Sequence, residues 1–415
     1  MVGTIIGSSI FVQASEIANL VPHPTAILLA WAAAGILTLI GALVCAELAS
    51  AYPRSGGVYV YLKEIYSPTL GFLWGWAMIW TMHSGILAAI ATVFARYAGN
   101  FLPLNDVTTR AVAVAAILVL SAINYVGVKF GSRVQSAFTL IKVLAVAAII
   151  MVGLIADRAA TADGGGSGLV EPVIPATNFF LAVGAALFAF GGWHMVTYTA
   201  EETVNPTRTI PRSLMIGIAV VTLSYIGLNL VYTMNLPMES VMTSTTIAAD
   251  TFQVLIGPQA ARAISALVMF SAFGALNGIV MMGPRVYYQM GQDGLFFRWA
   301  SHLEPAFKTP DRAIILQAIV ASVLVATGSY RALFTRVIYT EWIFFALLAL
   351  GVVLMRRRPG YAPAWRMPLV PAAPMLFVIV SLLIVLNQIR ADWQNAAIGL
   401  AIVATGIPAY YLWRK

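Results

Sequence analysis

The sequence contains little charge and almost no cysteine. Lys, Arg, Asp and Glu make up only 10% of its 415 residues, whereas soluble domains carry roughly 25%. A composition this poor in charge excludes an ordinary soluble globular protein. The single cysteine, Cys45, excludes an intramolecular disulfide and gives no indication of the redox compartment.

The sequence also lacks the short motifs of hydrolytic and phosphate-binding chemistry. It has no HExxH, no GxSxG, no Walker A sequence and no paired metal-ligand spacing. We therefore predict no enzyme activity, no catalytic residue, no resident metal and no cofactor. The net charge of +8 is dispersed between apolar runs, so it indicates membrane topology rather than a patch for nucleic acid.

Apolar side chains make up 60% of the chain, in long runs separated by polar, proline-bearing segments. A transmembrane helix needs roughly 20 mainly apolar residues to cross the hydrocarbon of a bilayer. We predict an all-α polytopic membrane protein with about 12 transmembrane helices. The predicted spans lie near residues 1–19, 25–51, 69–101, 108–127, 134–156, 176–203, 213–236, 260–290, 312–328, 336–355, 367–388 and 394–413.

The basic residues indicate how these spans are oriented. When alternate loops are assigned to opposite sides, most of the 24 Lys and Arg residues fall on one side. The positive-inside rule makes that side cytoplasmic. We therefore expect both chain termini in the cytoplasm.

Glycines interrupt two of the predicted spans. The first span contains Gly3 and Gly7 in the stretch GTIIGSSIF, and the sixth contains Gly191 and Gly192 in FAFGGWH. A broken transmembrane helix leaves backbone groups unpaired, which is tolerated only where they line a cavity or bind something. Corresponding breaks in two halves of a chain indicate a transporter binding site. The alternative is that these glycines only allow close helix packing.

The two breaks carry complementary backbone groups. The N–H groups of Ser8, Ser9 and Ile10 lie where a helix resumes, and this positive terminus suits a carboxylate. Other backbone groups, at the ends of the first half-helices, suit an ammonium: the carbonyls of Ile5, Phe188 and Gly191. Together the breaks predict a site for a zwitterion.

Lys142 is predicted to lie deep in the membrane. It follows Arg133 by about 13 Å along a helix that rises 1.5 Å per residue, which places it near the middle of the hydrocarbon. We interpret it as a fixed cation in the place of a transported one, bound to carbonyls of span one. A purely structural lysine is the alternative.

Four other ionisable residues stand in or near apolar spans. Glu341 could neutralise a cationic substrate, carry a proton or reach the outer interface. His194 follows the double-glycine break and is a pocket candidate, whereas His83 is interpreted as a satisfied core histidine. Glu47, near the cytoplasmic end of its span, is interpreted as a local ion-pair partner.

Four segments resemble the amino acid, polyamine and organocation (APC) transporter superfamily, most closely its L-type amino acid transporter branch and bacterial relatives. They are Gly3–Val12 (GTIIGSSIFV), Ala46–Pro68 (AELASAYPRSGGVYVYLKEIYSP), Phe188–Pro211 (FAFGGWHMVTYTAEETVNPTRTIP) and Arg356–Pro371 (RRRPGYAPAWRMPLVP). The resemblance covers the whole chain and implies a five-plus-five inverted repeat with discontinuous helices 1 and 6. The implied units are a first repeat at 1–156, a second repeat at 176–355 and two further helices at 367–413.

The resemblance also implies roles for individual residues. The carboxylate site falls on the backbone of Ser8 and Ser9, the amine site falls on the carbonyls named above, and Phe188 acts as an aromatic gate. Lys142 matches a lysine that stands in for a sodium ion. The other matched positions are His194 in the pocket, Tyr225 beside the substrate-binding loop, and Glu341 with Trp342 at an Asn-Trp pair lining the side-chain end of the pocket.

The chain departs from the family pattern in three places. Ser9 replaces a glycine, which narrows the freedom of the backbone and is expected to exclude larger substrates. Glu341 replaces an asparagine, which places possible negative charge at the pocket and argues against a purely neutral, bulky aliphatic substrate. Only Met1 and Val2 precede the first break, where family members have a full half-helix, so we expect Met1 to be an internal or misassigned start.

We therefore predict sodium-independent secondary transport of L-amino acids by alternating access, through exchange or proton coupling. A cationic amino acid or polyamine antiporter and a transporter-like amino acid sensor are the alternatives. The loop Leu102–Arg110 lacks the cysteine that joins animal relatives to a glycoprotein, so no disulfide-linked heavy subunit is expected. The predicted partners are the amino acid and the lipid bilayer, with no nucleic acid, in a bacterial inner membrane.

Overall fold

A computed structural model of the chain describes residues 2–7, 9–54, 56–126, 131–155, 174–328 and 330–413. Within these ranges only the backbone is described for residues 4, 131–138, 199, 201–202, 330–332 and 334–336. Within these ranges the chain forms helices and no strand. The α-helices are α1 (Val2–Ile5), α2 (Ile10–Leu20), α3 (Pro24–Ala51), α4 (Val58–Ile65), α5 (Pro68–Ala77), α6 (His83–Ala98), α7 (Asp106–Val126), α8 (Gly131–Ile155), α9 (Ala176–Ala189), α10 (Pro206–Asn235), α11 (Met238–Thr243), α12 (Ile247–Leu255), α13 (Pro258–Gln292), α14 (Asp311–Thr327), α15 (Tyr330–Met355), α16 (Ala372–Ala391), α17 (Trp393–Ala404) and α18 (Gly406–Trp413). A π-helical turn (Met78–Met82) joins α5 to α6, and 3-10 helices cover Trp193–Glu202 and Arg298–Ser301.

Nine helical stretches in the described ranges are long and apolar enough to cross a membrane. The other three predicted spans are helical as well. The first is divided between α1 and α2, the fifth is α8 with its shorter apolar part Thr139–Ile155, and the ninth is α14. The prediction of an all-α polytopic membrane protein is confirmed.

Proline marks the start of several spans. Pro24, Pro68, Pro206 and Pro258 each stand in the first turn of a helix. The missing proline N–H does no harm there, because the first N–H groups of a helix have no intrahelical partner. The proline-bearing segments that divide the sequence therefore also divide the bundle.

The two broken helices lie inside the bundle. The short helix α1 packs against α8, α10 and α13, and α9 packs against α2, α3 and α16. The pair α6 and α13 forms another part of the interior. Peripheral helices carry exposed apolar side chains, such as Leu118 on α7 and Leu382 on α16. This arrangement buries the breaks among protein and leaves an apolar surface for lipid.

Glu47 anchors the segment between α15 and α16 to the end of α3. Its fully buried carboxylate accepts hydrogen bonds from Nε and Nη2 of Arg356 at 3.0 and 2.6 Å and from the N–H of Met367 at 2.8 Å. Arg356 is 309 residues away, so the expectation of a local partner is wrong. The nearby Arg54 pairs instead with Glu64.

The short helix α4, which is absent from the predicted spans, is fixed to the end of α13. The Lys63 ammonium and the Tyr59 hydroxyl both donate to Oδ2 of Asp293, at 2.7 and 2.6 Å. Burial opposes ionisation of this carboxyl, but the hydrogen bonds from Lys63 and Tyr59 outweigh it and lower the pKa of Asp293. The ionised carboxylate therefore joins two segments that are distant in sequence.

We expect Glu47→Gln to destabilise the folded protein. The change leaves the partly buried Arg356 guanidinium without its counter-charge. We expect a cost of about 2–3 kcal/mol in unfolding free energy, less than for a fully buried charge, because some water still reaches the guanidinium. Thermal unfolding of the purified protein in detergent should show a melting temperature lower by roughly 5 °C. The control is Glu64→Gln, whose pair with Arg54 is exposed and contributes about 0–1 kcal/mol. Equal shifts in the two variants would contradict the anchoring role.

Candidate functional site

The first break separates α1 from α2. The helix α1 ends at Ile5, and the N–H of Gly7 turns back to the Ile5 carbonyl at 2.7 Å. When the helix resumes, the N–H groups of Ser9 and Ile10 make no backbone hydrogen bond within the described part of the chain, as expected at a helix N-terminus. Ser8, the remaining predicted carboxylate contact, lies outside the described residues.

The second break is a turn made by the glycine pair. Gly192 has a φ of 94°, a left-handed conformation that glycine adopts without strain, and the chain then continues as the 3-10 helix Trp193–Glu202. A side chain at Gly191 would meet only the Phe188 carbonyl of its own turn. Close helix packing therefore does not explain this pair, and the break interpretation is favoured.

Lys142 binds carbonyl groups that the first break releases. Its Nζ lies 3.3 Å from the carbonyl oxygens of both Gly3 and Ile6, and the residue is 3% exposed. The close approach of α8 to α1 requires Gly3, because a Cβ there would overlap the Thr139 side chain. The ammonium group thus occupies a cation position among carbonyls, where a buried charge can be tolerated.

The hydroxyl of Tyr225 connects the two breaks. It lies 3.0 Å from the carbonyl oxygen of Ile5 and 2.8 Å from that of Ala189. Because a hydroxyl has one hydrogen, the two carbonyls share it. Trp31 and Phe190 pack edge-on against the Tyr225 ring and restrict its orientation. One carbonyl predicted to hold an ammonium is therefore occupied by the protein itself in this conformation.

A cavity of about 10 Å³ lies between the breaks, which is room for about one water molecule. An amino acid does not fit, so this conformation of the site is closed. Four predicted site residues line the cavity, namely Ile5, Ser9, Phe188 and Gly191. The remaining lining residues are Gly7, Ile86, Ile90, Ala189, Gly192, Met195 and Ile279.

Several residues that line the cavity were not predicted from the sequence. Ile86 and Ile90 lie one turn apart on α6, and Ile279 lies on α13. No signal distinguishes them from core residues, because apolar side chains at helical spacing occur in every buried span. They give the cavity an apolar wall beside its polar backbone groups.

The other predicted residues are buried near the site but do not line the cavity. Ile10 and His194 are fully buried, Glu341 is 4% exposed, and Trp342 packs against Phe345 and Phe377. Their roles in substrate binding stay predictions. In the described part of the chain, no group of three or more His, Cys, Asp or Glu side chains could hold a metal ion.

The polytopic helical fold with two interrupted helices around one closed cavity defines a secondary transporter. The amino acid permease family model matches residues 1–407. The chain therefore belongs to the amino acid permease family and is a membrane transporter rather than an enzyme, which confirms the family resemblance.

Individual relatives are similar along nearly their whole length. The chain is 31% identical to the serine/threonine exchanger SteT of Bacillus subtilis, over 100% of this chain and 94% of that protein. It is 31% identical to the b(0,+)-type amino acid transporter 1 of Homo sapiens, over 99% of this chain and 85% of the relative. Identity to the human cystine/glutamate transporter is 28%, over 99% and 83%.

We expect Tyr225→Phe to slow transport without unfolding the protein. The variant keeps the ring packing against Trp31 and Phe190 but removes the hydroxyl shared by the two breaks, a loss of about 1 kcal/mol or roughly fivefold in rate. Initial uptake into proteoliposomes measures the effect. The matched control is Tyr232→Phe on the same helix, whose buried hydroxyl has no hydrogen-bond partner among the described residues. Equal rates for both variants would remove Tyr225 from the mechanism.

Proposed function

We propose that this transporter exchanges small neutral L-amino acids across a bacterial inner membrane without sodium. The observation that carries the proposal is the meeting of two helix breaks at one cavity. The first break offers the N–H groups of Ser9 and Ile10, which make no backbone hydrogen bond with a described residue, and the second offers the carbonyl of Gly191. These groups complement the carboxylate and the ammonium that all α-amino acids share.

In the proposed complex the substrate completes the hydrogen bonds of the broken backbone. Its carboxylate accepts from the N–H groups of Ser8, Ser9 and Ile10 at the positive end of α2. Its ammonium donates to the carbonyls of Ile5, Phe188 and Gly191. Because Tyr225 already contacts the Ile5 carbonyl, the ammonium competes with its hydroxyl, which can remain on Ala189.

Lys142 supplies the fixed positive charge that replaces a sodium ion in this proposal. Its contacts with Gly3 and Ile6 join α8 to the mobile half-helix without a dissociable cation. The inverted repeats 1–156 and 176–355 then rock about the site, while the helices in 367–413 lie outside the repeats.

Small neutral substrates agree best with the cavity. Ile86, Ile90 and Ile279 offer no charge to a substrate side chain, and Ser9 stands where the family has glycine. His194, Glu341 and Trp342 would reach the side-chain end of the pocket once it opens. The sensor gains no support, because the relatives are named as exchangers and transporters. The cationic antiporter is the alternative that Glu341 would favour, and substrate competition separates it from the exchange of neutral amino acids.

We further propose that the chain works without a disulfide-linked subunit and has both termini in the cytoplasm. Its single cysteine, Cys45, is buried within α3 and cannot reach a partner protein. The orientation is supported by the positive-inside rule, because most Lys and Arg residues fall in or next to the loops after predicted spans two, four, six, eight and ten.

Counterflow in proteoliposomes tests the exchange. Vesicles containing the purified protein are loaded with unlabelled L-serine and diluted into labelled L-serine, in sodium-free buffer. We expect label to accumulate only in loaded vesicles, and L-alanine and L-threonine to compete more strongly than L-lysine, L-arginine or putrescine. D-Serine serves as the stereochemical control.

The outcomes separate the candidate functions. Binding of label without accumulation would replace the exchanger with a sensor. Competition by the cationic compounds but not by L-alanine would restore the cationic antiporter. A strict requirement for sodium would refute the assigned role of Lys142.

We expect Lys142→Ala to abolish counterflow, with at least about a hundredfold loss, while the protein remains folded in the membrane. Removal of the ammonium leaves the carbonyls of Gly3 and Ile6 unpaired and frees α1 from α8, at a cost of several kcal/mol. Size-exclusion chromatography of the detergent-solubilised variant verifies folding. Uptake like that of the unmodified protein would reduce Lys142 to a structural role.

A further inference from the structure

Two histidines form a buried pair next to the second break. The ring centroids of His83 and His194 lie 6.2 Å apart, and the Tyr198 ring lies 6.1 and 5.5 Å from them. All three side chains are fully buried. Neither nitrogen of either imidazole has a hydrogen-bond partner in the described part of the chain. The expectation that His83 is a satisfied core histidine is therefore wrong.

Glu341 adds a carboxyl group to this pair from α15. Glu341 lies one turn before Phe345 on α15, and the Phe345 ring packs against the His194 ring with the two centroids 5.1 Å apart. Glu341 is 4% exposed, and its Oε1 has no hydrogen-bond partner among the described residues. We call His83, His194, Tyr198 and Glu341 the buried titratable cluster.

Two members of the buried titratable cluster, His194 and Tyr198, lie on the 3-10 helix that follows the cavity-lining Gly192. His194 follows Gly192, which lines the cavity. Further along the same 3-10 helix, the Tyr198 carbonyl accepts a hydrogen bond from the Gly56 N–H at 3.4 Å, next to α4. The 3-10 helix that carries His194 and Tyr198 therefore extends from the cavity towards α4.

The described surroundings give the cluster no counter-charge. Other titratable side chains near it are Cys45, Tyr61 and Tyr287, which are buried and of types that are uncharged at physiological pH. The helices packed against α6, α15 and the 3-10 helix Trp193–Glu202, together with α6 itself, carry the following charged residues: Glu47, Lys63, Glu64, Arg96, Asp106, Arg110, Arg208, Arg212, Arg262, Arg285, Asp311, Arg312 and Arg390. Glu341 itself forms no ion pair with a described side chain, and the Arg331 and Arg336 side chains are not among those described.

We infer that the buried titratable cluster is a proton-binding site, and that the transporter must take up one proton here each time it closes. This inference rests on the proposed exchange function. An ionised carboxylate enclosed without a counter-charge costs several kcal/mol. One proton, held as the carboxylic acid of Glu341, makes the cluster neutral. The proton comes from water in the open conformation and returns to it.

The sign of the pH effect follows from this cycle. In the open conformation, water stabilises the ionised Glu341 carboxylate. Closure then has to wait for a proton, so a rise in pH reduces the fraction of molecules that can close. Exchange should therefore slow as the pH rises, by up to about tenfold per pH unit above the pKa of the open conformation.

The test measures the pH dependence of L-serine counterflow between pH 6 and pH 8, with equal pH inside and outside the vesicles. We expect at least about a threefold fall in rate for the unmodified protein over this range, and a change of less than about twofold for Glu341→Gln and for Glu341→Asn. Both variants keep a neutral side chain that needs no proton. Lys142 is present throughout, so it cannot account for a difference.

Thr340→Val is the matched control for the test. Thr340 neighbours Glu341 on α15 and is also buried. Its hydroxyl has no hydrogen-bond partner in the part of the chain that the structure describes, and it does not titrate in this range. The control should keep the full pH dependence. A flat profile for the unmodified protein, an unchanged slope in Glu341→Gln, or inactivity of both Glu341 variants at every pH would overturn the inference. Absence of counterflow from the unmodified protein at all pH values would instead overturn the proposed exchange.

Discussion

Unpaired backbone groups inside hydrocarbon determine how this molecule is built. Every N–H or carbonyl released by a broken transmembrane helix costs several kcal/mol unless another group replaces the lost hydrogen bond. At the first break Lys142 binds two released carbonyls, and the Tyr225 hydroxyl is shared between carbonyls of both breaks. The N–H groups of Ser9 and Ile10, where α2 begins, make no backbone hydrogen bond in the described part of the chain. One constraint thus stabilises the bundle and creates the site.

The closed cavity follows from the same constraint. Tyr225 occupies the Ile5 carbonyl from inside the protein, and the space between the breaks is reduced to about 10 Å³. A zwitterion can supply an ammonium to that carbonyl and a carboxylate to the start of α2. Substrate and protein therefore compete for the same backbone groups, which is how binding can be linked to a change of conformation.

Local signals in the sequence predicted much of this arrangement. A glycine pair or a lysine inside an apolar run is conspicuous wherever it occurs, so both breaks and Lys142 were found. The partner of Glu47 was not found, because Arg356 is one of many basic residues and lies 309 positions away. Ile86 and Ile90 were missed since a cavity wall has the composition of a core. The prediction that His83 is a satisfied core histidine was wrong because its neighbour His194 lies on another helix, distant in sequence.

The sequence by itself determined that this protein lies in a membrane, that it is helical, which family it belongs to and where two of its helices break. Those properties depend on composition and on residues close together in the chain. Only the tertiary structure decided which carbonyls Lys142 binds, that Tyr225 connects the breaks, and that the His83 and His194 rings lie next to each other. Apolar helices of similar composition can pack in many ways, because hydrophobic burial is not directional. The packing that forms is determined by contacts between helices across the whole bundle. These contacts cannot be predicted from any one segment of the sequence.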